Sequence, residues 1–152
     1  MSQRFHFRLA SVQNLRAADE RRAKELLAAT MQAREQERRM ADSARRLAAA
    51  ADDGARRQAG ETASAADMMA AQQWRERIQH HRTAAERQLE QADAEVALSR
   101  RELLAAHRRR SEIDLLHDAA LVKHRREQER TEAARLDELS QQMFLARRNR
   151  TA

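Results

Sequence analysis

Proline is absent from the 152 residues, and glycine occurs only twice, at Gly54 and Gly60. A chain of this length with average usage would carry about seven prolines and about ten glycines. The usual helix breakers are therefore missing everywhere except in one short stretch, which the sequence marks as the single turn. Cysteine is also absent, which excludes disulfides, thiolate metal ligands and cysteine nucleophiles. There is no tyrosine, and the large rings are Phe5, Phe7, Phe144 and Trp74 alone, too few for a thick globular core. No window approaches the roughly 18 apolar residues of a membrane span, and the N-terminus lacks the apolar stretch of a secretion signal. A soluble, cytoplasmic chain is expected. Neither glycine is followed by Lys-Ser or Lys-Thr, so no phosphate-cradling loop is present and enzyme activity is not expected.

What is present is helix-forming. Ala, Glu, Lys, Leu and Arg supply 93 of the 152 residues, a composition typical of long helices and coiled coils. One helix is predicted over about 5–52, a turn over about 53–63 and a second helix over about 64–148. The chain is thus expected to be all-α, an elongated antiparallel two-helix coiled coil formed as a helical hairpin, with a single domain over 1–152. The net charge of +6 arises from 30 basic residues, 28 of them arginine, and 24 acidic ones. Such opposing charge suits a solvated lattice of same-helix pairs, for example Glu35 with Arg39, Glu20 with Lys24 and Asp42 with Arg46.

Steps of three and four residues define a stripe on each helix. On the first it runs through Leu9, Arg16, Ala23, Thr30, Glu37 and Ala44, alternating with Phe5, Val12, Asp19, Leu26, Ala33, Met40 and Leu47. On the second it runs from Ile78 through Arg82, Ala85, Leu89, Ala92, Val96, Ser99, Leu103, Ala106 and Arg110 to Ile113. Alanines in such a seam permit close approach, and the interspersed charges weaken it. Pairing outward from the turn places Phe5 near residues 110–112. About 35 C-terminal residues then continue as a helical overhang with no helix of their own chain to cover Leu136, Leu139, Met143 and Phe144. A lone helix with that stripe is marginal in water, so the overhang is expected to enter another protein, or else to zip with a second copy. Near the turn, Trp74 lies one helical turn before Ile78 and either caps the hairpin on Ala48 or Ala51 or anchors a partner.

The six histidines offer no i, i+4 pair, so no metal site is expected and surface or seam positions are assigned to them. His117 and His124 stand about two turns apart, too far to share an ion within the helix. The carboxylates are dispersed among arginines, so no catalytic dyad is expected. Basic runs at His107–Arg110, Lys123–Arg126 and Arg147–Arg150 raise nucleic-acid binding as a rival. Interruption by Glu112, Asp114, Asp118, Glu127 and Glu129 and the lack of stacking aromatics count against it.

The two ends resemble one family, the flagellar type III export component FliJ. The opening Phe5-His6-Phe7-Arg8-Leu9, with Val12, Leu15-Arg16 and Glu20, is similar to that family's N-terminal pattern, and Leu136-Asp137-Glu138-Leu139 with Gln142 and Arg147 is similar to its C-terminal signature. Gln72-Gln73-Trp74 with Ile78 resembles a Gln-Gln-aromatic segment of the family's second helix, although His81 and Ala85 stand where the family has alanine and histidine. The resemblance implies a stalk that inserts into the hexameric flagellar export ATPase, with Arg8, Leu9, Leu136, Leu139, Met143 and Phe144 in contact. It also implies that Gln73, Trp74, Ile78 and His81 meet the cytoplasmic part of the export gate, and that export chaperones are further partners. A monomer when isolated, peripheral at the inner-membrane export apparatus only through its partners and without cofactor, metal or nucleic acid, is the expectation. The corresponding stalk of a virulence-type injectisome is the alternative.

Overall fold

The structure, a computed structural model, describes residues 4–59 and 64–150. It is all-α: α1 spans Ala10–Ala59 and α2 spans Ala65–Arg150, and the two pack as an antiparallel helical hairpin. By compactness the chain divides into a hairpin unit, Glu20–Ala106, and a terminal unit that joins Met1–Asp19 to His107–Ala152.

Local chemistry sets the helix ends. Ser64 caps α2, its Oγ accepting from the Asp67 backbone N–H at 3.2 Å while Asp67 Oδ2 accepts from Ser64 N and Oγ at 3.3 and 2.6 Å. This reciprocal capping box satisfies otherwise orphaned donors and places a carboxylate in the first turn. The α1 end differs from the expected turn. Helix runs on through Gly54 to Ala59, Gly54 adopts no positive φ, and the remaining turn residues, Gly60 among them, lie outside the described residues. The flanking alanines are strong helix formers, Arg57 Nε reaches the Asp53 carbonyl at 3.3 Å, and Arg56 and Arg57 complement the helix dipole in the last turn. One glycine costs only about 1 kcal/mol against that background. At the other end, α1 begins at Ala10 rather than Phe5, after a non-helical arm closed by Ala10 N–H to Phe7 O at 3.2 Å.

Within the hairpin unit, Arg34 pairs with Asp93, Arg45 with Glu86 at 3.0 Å and Arg75 with Asp52 at 3.0 Å. Eighteen residues forward from Arg34 to Asp52 match eighteen backward from Asp93 to Arg75, which fixes an antiparallel register. On α2 the buried residues Ile78, Ala85, Ala92, Val96, Ser99 and Ala106 all belong to the stripe read from sequence. Ser99 Oγ is satisfied by the Glu95 carbonyl at 3.0 Å.

On α1 half of the predicted stripe is displaced. The line through Ala23, Thr30, Glu37 and Ala44 does face inward, but its companion is Glu20, Leu27, Arg34, Ala41 and Ala48, each one residue beyond the predicted line. Leu26, Met40 and Leu47 stay exposed. The reason is space: Ala41, Ala44 and Ala85 pack into one cluster with Leu89 against it, and a methyl group fits where the Met40 or Leu47 side chain would force the helices apart. Same-helix pairs Glu35–Arg39 and Glu20–Lys24 form at 3.3 and 2.9 Å, whereas Asp42 pairs with Arg45 at 3.2 Å rather than with Arg46.

Two outcomes are expected in urea denaturation followed by circular dichroism. Ala41→Leu lowers stability by about 1–3 kcal/mol through overpacking, while Met40→Leu next to it stays within about 0.5 kcal/mol. Gly54→Ala raises stability by about 0.5–1 kcal/mol, because a Cβ there meets nothing within 4 Å.

Candidate functional site

The hairpin unit has two unlike flanks. Residues directly after the buried alanines, namely Arg45 after Ala44, Glu86 after Ala85 and Asp93 after Ala92, form the inter-helix ion pairs, so that flank is closed by charge. The Arg45 guanidinium is raised above its ordinary pKa, chiefly by its hydrogen bond to Glu86. Residues directly before seam positions lie on the opposite flank. On α1 these are Leu26, Met40 and Leu47, and on α2 Trp74 and His81, all exposed. Trp74 is half exposed, with the Arg77 guanidinium 5.6 Å from its ring centroid, within cation–π range. Of the predicted gate-contacting residues, Gln73, Trp74 and His81 are thus available to a partner. Ile78 is not: it is 6% exposed because it occupies the seam that holds the hairpin together. Met40 and Leu47 were missed as surface residues because their seven-residue spacing reads equally well as seam.

In the terminal unit, the arm before α1 lies on α2. Phe5 and Phe7 are half-buried while His6, Arg8 and Leu9 are exposed, the alternation of an extended chain in which every second side chain shares a face. The Phe5 ring stands 5.6 Å from His117 and 5.4 Å from His124, and the Phe7 ring 5.1 Å from His117 in a T-shaped arrangement, all favourable aromatic distances. His117 Nδ1 lies 3.1 Å from Asp118 Oδ1, and Gln13 donates to Asp114 at 2.7 Å. Phe5 therefore meets α2 beyond the expected 110–112, because α1 continues to Ala59 and moves every pairing along α2. The Phe-x-Phe spacing was the available signal for the arm, and the two-turn separation of His117 and His124 was the signal for its cradle.

Beyond the arm, every residue from Glu129 to Asn149 is exposed. Leu136, Leu139, Met143 and Phe144 are each more than half exposed, and a shallow notch on α2 is lined by Ser140, Gln141, Phe144 and Leu145. Arg8 and Leu9 also remain accessible, with Leu9 at 39%. The structure thus presents these six residues outward, Arg8 and Leu9 on the arm and the other four on α2.

Among the described residues no group of three His, Cys, Asp or Glu side chains could hold a metal ion, and no helix is long and apolar enough to cross a membrane.

Comparison with known families gives a match to the flagellar FliJ protein over residues 5–149, and the chain belongs to that family of non-enzymatic flagellar export components. No curated protein and no solved structure matches the chain.

A double-mutant cycle of Phe5→Ala and His117→Ala, read by urea denaturation, is expected to give a coupling of about 0.5–1.5 kcal/mol. Amide exchange in residues 8–13 should accelerate in both single variants.

Proposed function

We propose that this member of the flagellar export family acts as the stalk of the hexameric export ATPase, with its terminal unit inserted into the hexamer. The observation that carries this reading is the uncovered quartet Leu136, Leu139, Met143 and Phe144, exposed on a stretch of α2 that no described residue shields. Water leaves such a stripe costly, and a hexamer pore supplies the apolar sleeve it lacks. Arg8 and Leu9, displayed by the clipped arm, add a second contact. A stalk of this kind makes unlike contacts with the six subunits and biases assembly and ATP turnover by differential affinity, with no chemistry of its own.

The hairpin unit meets the cytoplasmic part of the export gate in this reading, through Trp74, Gln73 and His81, with Met40 and Leu47 farther along the same flank. A half-exposed tryptophan on the flank away from the inter-helix ion pairs is the kind of anchor that dominates binding energy. Released export chaperones are further partners for the same exposed surfaces.

The test mixes the full chain with the flagellar export ATPase of its own organism and follows hexamer formation by light scattering together with ATP hydrolysis. Both should rise with the intact chain and not with Leu139→Asp/Phe144→Asp, whose helicity by circular dichroism should be unchanged. A response equal for both chains would remove the C-terminal contact from the reading, and no response with either would remove the stalk. For the gate, Trp74→Ala should weaken binding to the gate's cytoplasmic part about tenfold or more, measured by calorimetry.

A further inference from the structure

The outer face of α2 in the terminal unit carries a second seam. His117 and His124 mark the face that holds the arm. Leu115 and Val122 stand two residues before them, about 200° around the helix and therefore near the far side. The same seven-residue line continues to Glu129 and Leu136, and all four are exposed. Four residues after each comes a companion line, Ala119, Arg126, Ala133 and Ser140, also exposed. Alternating steps of four and three are the signature of a helix that packs on another helix. Neither Arg126 nor Glu129 has an ion pair among the described residues.

The two lines are complementary to themselves when run in opposite directions. With Arg126 set against the partner's Glu129, Val122 falls on the partner's Ala133 and Leu136 on the partner's Ala119, so each large side chain meets a small one. Two-fold symmetry repeats every contact, as an isologous interface requires. Moving the register by one heptad would set Arg126 against the partner's Leu136 and Glu129 against the partner's Ala133, burying both charges unpaired. A parallel pair would bring Arg126 to the partner's Arg126. Polar seam residues of this kind select register and orientation.

We propose that two copies of this chain associate antiparallel through this outer seam, with the Arg126–Glu129 pair repeated on either side of the two-fold axis. The face is opposite the arm, so the hairpin and its aromatic clip stay intact in each protomer. Leu136 belongs both to this seam and to the ATPase contact proposed above, which makes the two associations mutually exclusive.

The test needs no ATPase, so its outcome is independent of the stalk reading. Sedimentation equilibrium of the full chain should show a monomer–dimer equilibrium. Arg126→Glu should raise the dimer dissociation constant about tenfold or more, and Arg126→Glu/Glu129→Arg should restore it, with helicity unchanged throughout. Because the chain has no cysteine, register can be read by oxidation: a Val122→Cys chain mixed with an Ala133→Cys chain should give a mixed disulfide. Val122→Cys alone should not, since its two thiols would lie about 16 Å apart along the axis. A monomer at every concentration, a dimer indifferent to the charge reversal, or disulfide formation by Val122→Cys alone as readily as by the mixture would each overturn the proposal.

Discussion

Close approach of α1 and α2 along a seam of alanines is the constraint on which the rest depends. Ala41, Ala44 and Ala48 on one helix and Ala85, Ala92 and Ala106 on the other are buried, and a methyl group is the largest side chain that most of these positions accept without separating the helices. A seam so narrow buries little apolar area per residue. Stability must therefore accumulate over many turns, which helix continuity makes practicable in a chain without proline. The same narrowness displaces the larger apolar residues outward: Leu26, Met40 and Leu47 flank the seam instead of filling it. Exposed leucine and methionine on this protein follow from the geometry of its core.

The sequence carried most of this in its periodicity and lost the remainder where two periodicities coincide. On α2 the stripe from Ile78 to Ala106 was legible because Ile78, Ala85, Ala92, Ser99 and Ala106 share one seven-residue line and Leu89, Val96 and Leu103 the adjacent one. On α1 the line through Ala23 and Ala44 was legible, but its neighbour could lie on either side. Met40 and Leu47 outweighed Ala41 and Ala48 in hydrophobicity, and the balance was reversed by packing distance, a tertiary quantity that composition does not report. Gly54 misled in a related way. Its freedom to leave the helix is not used, because Asp53, Arg56 and Arg57 and the surrounding alanines favour continuing it. The C-terminal stripe was legible in full, since burial there depends on no partner within the chain. The arm was not, because Phe5 fits a helical stripe and an extended strand equally, and only the pair Phe5 and Phe7 distinguishes them.

Charge divides the hairpin unit as sharply as size does. Each inter-helix ion pair is partly exposed and individually contributes little. Their shared placement matters more than their sum. Arg34, Arg45 and Arg75 engage Asp93, Glu86 and Asp52 along one flank, which sets the register of the two helices and occupies that flank with solvated charge. The opposite flank keeps Leu47, Met40 and Trp74 exposed.

In the terminal unit the heptad assigns separate tasks to separate faces of one helix. The inner face of α2 takes the arm through His117 and His124, and the outer face carries Leu115, Val122 and Leu136 away from it. Beyond the arm, Leu139, Phe144 and Leu145 are exposed as well, so the last turns offer apolar side chains on more than the outer line. A surface of this kind cannot stay bare at high concentration. Whatever covers it must either match its alternation of large, small and opposite charge or replace water with an apolar sleeve. In the two associations proposed above, a second copy would offer the first and a hexamer pore the second, and since both would engage Leu136, mass action would decide between them. A weak self-association would then hold the stripe out of water until the stronger partner is present, and it would release the chain in proportion to the hexamers available.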